Sequence, residues 1–334
     1  MNVPLFSVVI PTYNRKELLG KCLEALVTQS LDVSRFEVIV VDDGSTDGTS
    51  DFLKARRFPF RLTGKTEEHG GAPAARNAGI AGACGTYVAL TEDDVIPDRD
   101  WLNNALKYLG DSSIDVLEGK TIYQHTLKDV RRFEGQRLPS FIPCNLIIKR
   151  DVLESVGGYD TTFYDARRHL YFREDADLGF RILDAGYRVA IADDVVVAHP
   201  PQFSSLNDCT RHARRYVFDP LLYKKHPLRF RQMIEVKRLF GLIIHRPQHY
   251  VALVYLAVLI FLCVGMLSAQ KTDLVPLALI AFGCSFVFRY KYQGWRALRL
   301  YRIHETLGFL ALPVVYLASL ALGCFRYKSI GALF

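Results

Sequence analysis

The sequence predicts an α/β fold with a mostly parallel central sheet, followed by a helical transmembrane region. Three observations predict it. Apolar, β-branched runs of strand length alternate with helical patterns through residues 1–220. Each polar motif in the first hundred residues opens where such a run ends. Residues 249–325, by contrast, are mostly apolar. The 334 residues are enough for roughly two domains.

Phe6-Ser-Val-Val-Ile10 reads as a buried strand that stops at Pro11. Lys16–Gln29 sets Leu18, Leu19, Cys22, Leu23, Leu26 and Val27 at helical spacing. Phe36–Val41 is a second buried strand, Asp42–Gly48 a loop and Thr49–Arg57 a helix. Ala72–Ala83 is a helix behind a Gly-Gly loop, and Thr86–Thr91 a third strand ending in Glu92-Asp93-Asp94. Strands apolar on both faces, alternating with helices, call for a parallel sheet built from βαβ units. Farther on, Asp98–Tyr108 reads as a helix, Ile114–Gly119 and Asn145–Lys149 as strands, and Leu127–Pro139 as a polar, basic loop. Asp151–Val156 and Ala176–Ala185 are helices closed by Gly157-Gly158 and Gly186. Arg188–Ala192 and Val195–Ala198 read as two short strands.

The apolar region divides into three candidate spans. Tyr250–Ala269 has the ~20-residue length that crosses a bilayer. Leu274–Phe288 is shorter and contains Pro276, and Thr306–Phe325 contains Pro313. These runs lack a polar face, which argues against helices buried in a soluble core. Arg289, Lys291, Arg296, Arg299 and Arg302 lie between the second and third spans, and only Lys271 between the first and second. Basic loops stay in the cytoplasm, so 289–305 and everything before 249 belong on that side. Tyr290–Ile303 is basic and aromatic and suits the interface plane.

The net charge of +7 suits nucleic acid, anionic lipid or phosphate ligands. Lys224, Lys225, Arg229, Arg231, Lys237 and Arg238 cluster just before the first span, which selects membrane lipids and not nucleic acid. The seven cysteines are odd in number and include no CxxC, so free thiols in a reducing compartment are expected. Val3–Ile10 is short and has no basic residues before it, so it is not read as a signal peptide. The expected organisation is a catalytic domain over 1–220, a basic juxtamembrane segment over 221–248, and spans within 249–325. The protein is expected in the cell membrane, multi-pass, with its first domain cytoplasmic.

In parallel sheets, ligands bind beyond the carboxyl ends of the strands. Pro11-Thr-Tyr-Asn14, Asp42–Asp47 and Glu92–Asp94 all start there. Three adjacent acids repel one another, and a divalent cation, Mg²⁺ or Mn²⁺, relieves the repulsion while meeting substrate phosphate oxygens. The competing reading is that Glu92–Asp94 caps the helix that follows. Asp42 and Asp43 can accept from a base N–H or from ribose hydroxyls, though Asp-Gly is also an ordinary turn. Glu174 and Asp175 either do chemistry or stabilise the start of the next helix. His199, ending an apolar run, is either a third metal ligand or a structural histidine. Asp177 and Arg181 are spaced as a surface pair.

Together these stretches resemble the signature blocks of family-2 glycosyltransferases of GT-A fold. The blocks are Val8-Val-Ile-Pro-Thr-Tyr-Asn-Arg15, Val40-Val-Asp-Asp-Gly-Ser-Thr-Asp-Gly-Thr49, Ala75-Arg-Asn-Ala-Gly-Ile80, Leu90-Thr-Glu-Asp-Asp-Val-Ile-Pro97 with Trp101-Leu102, Cys144–Asp160, and Glu174-Asp-Ala-Asp-Leu-Gly-Phe-Arg181. They fall in order over roughly residues 5–200. The resemblance implies a GT-A nucleotide-sugar-binding domain. Pro11, Thr12, Tyr13, Asn14, Asp42, Asp43, Arg76 and Asn77 would line the donor site, with Thr12, Tyr13 and Asp43 on the base. Asp93 would meet the ribose or diphosphate, Asp94 the metal, and Asp175 would be the catalytic base beside Glu174. Glu92 fills a slot where the family carries Asp. Arg215, in His212-Ala-Arg-Arg-Tyr216, is what remains of the QxxRW of processive members. It would bind diphosphate.

The implied function is inverting, metal-dependent transfer of one sugar from a nucleoside-diphosphate sugar to a glycan or lipid-linked acceptor, in polysaccharide biosynthesis. Two alternatives stand beside it. One is a processive synthase, disfavoured by the missing Gln and Trp. The other, from another class, is an inactive membrane-bound nucleotide-sugar binder, disfavoured by intact acids at Asp43, Asp94 and Asp175.

Overall fold

The computed structural model describes residues 3–110, 113–123, 139–199, 205–234, 236–239, 242–267, 275–293 and 309–333. The chain forms two compact units, Met1–Pro201 and Gln202–Phe334.

In the first unit, β1 (Phe6–Thr12), α1 (Lys16–Val27), β2 (Phe36–Asp42), α2 (Thr49–Ala55), β3 (Arg61–Thr66), α3 (Ala72–Ala81) and β4 (Tyr87–Leu90) form parallel βαβ units. Then come β5 (Ile96–Pro97), α4 (Trp101–Leu109), β6 (Val116–Tyr123), β7 (Leu146–Lys149) and α5 (Arg150–Val156). A small hairpin, β8 (Tyr164–Asp165) with β9 (Leu170–Tyr171), precedes α6 (Glu174–Asp184) and β10 (Val189–His199). The large sheet runs β3-β2-β1-β4-β7-β6-β10-β5. It is mixed: β7 lies antiparallel to both β4 and β6, and β5 is antiparallel to β10.

β1 and β2 are buried on both faces, as their uninterrupted apolar sequences require. One face, with Phe6, Val8, Ile10, Val38 and Val40, packs on Leu19, Leu23 and Leu26 of α1 and on Trp101 and Leu102 of α4. On the other, α3 approaches through Gly79, where an added Cβ would strike Val9 Cγ1. Trp101 is fully buried and donates to Asn145 Oδ1 at 2.8 Å. Asn145 in turn donates to the carbonyls of Lys120 and Val195, tying β7 to β6 and β10.

β1 does not stop at Pro11. It continues to Thr12, with Pro11 opposite Val41. Pairing with β4 already ends at Val9, so the missing proline N–H removes no bond on that side. The two strands expected over Arg188–Ala198 are one strand with a bulge between Ala192 and Val196. Of the basic loop expected over Leu127–Pro139, residues 127–138 lie outside the described residues.

The second unit holds α7 (Leu206–Arg215), α8 (Asp219–Lys225), α9 (Pro227–Met233), the hairpin β11 (Val236–Leu239) and β12 (Leu242–His245), then α10 (Pro247–Leu267), α11 (Val275–Gln293) and α12 (Leu312–Tyr327). Among the described residues, α10 alone is long and apolar enough to cross a membrane, while α11 and α12 carry shorter apolar stretches. Pro313 occupies the first turn of α12, where a missing N–H is harmless. Leu253, Val254, Ile260, Phe261 and Val264 of α10 are exposed. Arg246, before α10, donates to Asp219 Oδ2 at 2.8 Å and to the Tyr316 hydroxyl at 3.1 Å, fixing α10 to α8 and α12. Residues 294–308, with most of the expected interfacial segment, lie outside the described residues.

The close approach at Gly79 gives a stability test. Gly79→Val should destabilise the first unit by about 1–3 kcal/mol through overpacking against β1. Chemical denaturation of the full chain followed by tryptophan fluorescence would report it, since Trp101 lies in that unit.

Candidate active site

The loops after β1, β2 and β4 meet the end of β10 at one edge of the sheet. Asn14 N donates to Ser45 Oγ, Arg15 reaches Asp94, and His199 faces Asp94. Thr12 links two strand ends. Its carbonyl accepts from Asp43 N at 2.9 Å, and its hydroxyl donates to Asp93 Oδ2 at 2.8 Å.

The three consecutive acids have three environments. Glu92 Oε1 accepts from Arg76 Nη2 at 3.0 Å, and its Oε2 lies 3.7 Å from His199 Nε2. Burial alone would raise its pKa, but His199 and the Arg76 charge outweigh that and hold it at about 2. Asp93 is buried, and desolvation pushes it up to about 6 against the pull of Arg15 and Thr12, with the Asp94 charge adding to the rise. Asp94 is also raised, by burial and then by Glu92. Its Oδ2 meets Arg15 Nη1 at 3.0 Å, while its buried Oδ1 has no hydrogen bond and lies 3.5 Å from His199 Nε2. Ligand atoms of Glu92, Asp94 and His199 lie within 4.8 Å of one another.

Arg76 carries this cluster to α6. Its side chain is 2% exposed. Nη2 binds Glu92 and Nη1 binds Glu174 Oε1 at 3.2 Å. The Tyr159 ring lies 5.3 Å from the guanidinium carbon. Asn77, next on α3, brackets the Tyr159 backbone, donating to its carbonyl at 2.7 Å and accepting from its N–H at 2.8 Å. Glu174 opens α6 beside Asp175, whose carboxyl is pushed up by burial despite the nearby charges of Arg173 and Arg76.

On the β2 side, Asp43 accepts from Gly70 N at 2.8 Å and Gly71 N at 3.0 Å, and faces His69 Nδ1 at 2.8 Å. The His69 ring stacks on Tyr13, centroids 4.2 Å apart. Asp42 accepts from Ser45 N, and Asn14 Oδ1 from Thr46 N, so both shape the loop after β2.

The sequence-predicted residues therefore sort by position. Glu92, Asp93, Asp94, His199, Arg76 and Glu174 form one connected set of charges. Tyr13 and Asp43 lie beside it. Thr12, Asn14, Asp42 and Asn77 use their side chains on protein partners. Pro11 is half-buried within β1. Arg215 sits in the last turn of α7, in the second unit. Asp177, expected on the surface, is fully buried and pairs with Arg181, which also donates to the Val156 and Gly158 carbonyls. Sequence reasoning passed over Arg15 and the His69–His169 contact. Arg15 had a signal, a cation directly after a strand-end motif that faces an acid row.

The sequence profile of glycosyl transferase family 2 matches residues 7–177, from β1 into α6. The chain belongs to glycosyltransferase family 2. Glycosyltransferase AglE of Haloferax volcanii is 30% identical over 214 residues, 59% of this chain and 67% of AglE. The pre-mycofactocin glycosyltransferase of Mycobacterium tuberculosis is 29% identical over 212 residues, covering 58% of this chain and 42% of that enzyme. Among solved structures, the mannosyltransferase PcManGT of Pyrobaculum calidifontis, in complex with GDP-Man and Mn²⁺, superposes with a TM-score of 0.60 at 24% identity, covering 96% of this chain and 88% of its own. That likeness establishes the GT-A fold for this family-2 chain.

The buried Arg76 pairs give a direct test. Arg76→Met removes the buried cation shared by Glu92 and Glu174 and should destabilise the unit by about 3–5 kcal/mol. Arg76→Lys should recover part of that loss. Urea denaturation of the three proteins would measure both.

Proposed function

We propose that this chain is an inverting, cation-dependent glycosyltransferase that moves one sugar from a nucleoside-diphosphate sugar to a hydroxyl acceptor at the cytoplasmic face of a membrane. The observation that carries the reading is the continuous link from Asp94 through His199, Glu92 and Arg76 to Glu174, beside Asp175. It joins a candidate cation site to a candidate base across two elements far apart in sequence.

The side chains suit these roles. Tyr13 and Asp43 offer a flat face and a carboxylate for the donor base. Arg15, half exposed above Asp93 and Asp94, can turn an N–H toward the diphosphate. Glu92, Asp94 and His199 supply two carboxylates and an imidazole, a donor set that suits Mn²⁺ or Mg²⁺. The unbonded, buried Asp94 Oδ1 supports such a ligand. Bound there, the cation would neutralise charge growing on the departing diphosphate. Asp175 takes the proton of the attacking hydroxyl, and its raised pKa makes it a stronger base than an exposed carboxylate. PcManGT, solved in complex with GDP-Man and Mn²⁺, offers a precedent in the fold. The exposed apolar side chains of α10 support membrane attachment, and so a lipid-linked or cell-surface glycan precursor as acceptor.

A thermal-shift panel of nucleoside diphosphates with and without Mn²⁺ tests the donor site, because a ligand of the folded state raises its Tm. At least one diphosphate should raise Tm, more strongly with Mn²⁺, and Asp94→Ala should remove the metal-dependent part. If Mn²⁺ changes nothing in the wild type, the cation site is wrong.

Asp175→Asn should keep nucleotide binding and lower kcat about a hundredfold or more. A buried carboxyl with a raised pKa opposes folding when charged, above that pKa, and ceases to do so as pH falls below the unfolded value of about 3.9. The Asn variant should therefore melt higher than wild type at pH 7, with the difference shrinking toward pH 4. Wild-type kcat should fall with decreasing pH before ordinary carboxylates protonate. Near-normal turnover by Asp175→Asn would exclude it as the base.

A further inference from the structure

The Tyr13–Asp43 subsite already holds a ring. Two backbone donors, Gly70 N and Gly71 N, fix the Asp43 carboxylate. A carboxylate accepts up to about four hydrogen bonds, so Oδ2 keeps room for another donor. His69 Nδ1 takes it, lying 2.8 Å from Oδ2 and 3.0 Å from the Asp43 carbonyl oxygen. Both neighbours are acceptors, which places the proton on Nδ1. The imidazole also lies on the Tyr13 ring, with an interplanar angle of 29°. A planar ring is thus stacked on an aromatic face and donates a ring N–H to a fixed carboxylate.

That is the set of contacts a nucleobase with a ring N–H would make. Uracil, thymine and guanine carry such a lactam N–H, and cytosine and adenine do not. The other imidazole nitrogen, Nε2, lies 3.1 Å from His169 Nδ1 in the turn of the β8–β9 hairpin. His169 has φ +48°, and the Tyr164 ring meets His69 edge-on. His69 is therefore held from both ends, and its hold on the subsite depends on a hairpin that ends three positions before Glu174.

We propose that His69 is an internal ligand of the donor-base subsite, which it yields to a base carrying a ring N–H. The inference rests on the nucleotide-sugar reading and adds what fills its base subsite before a donor arrives. The imidazole keeps Tyr13 and Asp43 in their binding arrangement while no donor is present, and it competes with the donor for both. Its departure also removes the contact with His169, so filling the base site is felt at the hairpin that leads into Glu174 and Asp175.

Isothermal titration of the full chain with UDP, GDP, CDP and ADP, with Mn²⁺ present, tests this. UDP or GDP should bind at least about tenfold more tightly than CDP and ADP, a gap set by one lost hydrogen bond to a charged acceptor. His69→Ala should strengthen binding of the preferred nucleotide about three- to tenfold, because the bound state no longer competes with an occupied one. His169→Ala, which leaves the ring but loosens it, should move affinity in the same direction by less. Asp43→Asn should erase the preference among bases. Weaker binding by His69→Ala with the preference intact would overturn the inference and make His69 a direct contact to the base. Equal affinity for all four nucleotides would overturn the assigned base class. If no nucleotide binds any variant while circular dichroism shows each folded, the donor-site reading itself fails and takes the inference with it.

Discussion

The buried guanidinium of Arg76 is the constraint on which the rest of the site depends. Glu92 lies at the start of the loop after β4, and Glu174 opens α6, 82 positions later in the numbering. Two carboxylates drawn together away from water repel each other and lose hydration. One cation between them removes the repulsion, and its two Nη groups give each acid a separate partner. Arg76 is fixed in its turn. Tyr159 lies against it, and Asn77 clamps Tyr159 by both backbone groups. Replacing such a triad with apolar side chains often leaves stability unchanged. What the ions supply is position: the start of α6 is tied to the acid row to within hydrogen-bond tolerance.

The same arrangement explains why three adjacent acids behave differently. Glu92, beside Arg76 and His199, stays charged at about 2, whereas Asp93 rises to about 6 from burial. Asp94 rises too, yet one of its oxygens is already neutralised by Arg15 and the other is left without a hydrogen bond. The site thus holds one acid kept well below the usual carboxylate range and two raised above it. A positive ligand would reverse the last two shifts, because it supplies the counter-charge that burial withholds.

Much of this was legible in the sequence where local pattern and tertiary role agree. β1, β2, α1 and α3 are long and periodic, and the acids of Glu92–Asp94 mark the end of an unambiguous strand. Legibility failed where the neighbour decides. β3 (Arg61-Leu-Thr-Gly-Lys-Thr66) is an edge strand, half exposed and broken by glycine, so no alternation announces it. β7 has the same apolar sequence as a parallel strand, and its direction is set by the connections around it. β8 and β9 are two residues each, and His69 and His169 are 100 residues apart, meeting only because a hairpin turn is placed over the Gly70-Gly71 loop. The apolar stretch at 249–325 offered three candidate spans, the second of them short, and among the described residues α10 alone is long and apolar enough to cross a membrane. Pro313, inside the third candidate, stands in the first turn of α12.

The bulge in β10 shows how a defect in a ladder makes a site. Side chains along a strand alternate faces, so Ala192, which is buried, would share its face with residues 194, 196 and 198 in a regular strand. Instead, Ala192 pairs with Gly119 and Val196 with Lys120, its immediate neighbour on β6. Three residues of β10 are thus inserted where β6 has none, an odd number that reverses the alternation. Val195, Val197 and His199 become the buried set. Asp194, lifted out of the ladder, is held by the Tyr108 hydroxyl at 2.6 Å, and Asn145 takes the freed Val195 carbonyl at 2.9 Å. Asp194 and Val195 therefore have partners from α4 and from the residue just before β7, and the irregularity is stable. Its consequence appears four residues later, where the strand runs out. His199 turns toward Glu92 and Asp94, whereas an unbroken strand of the same sequence would aim it at the opposite face and leave the acid row without its imidazole.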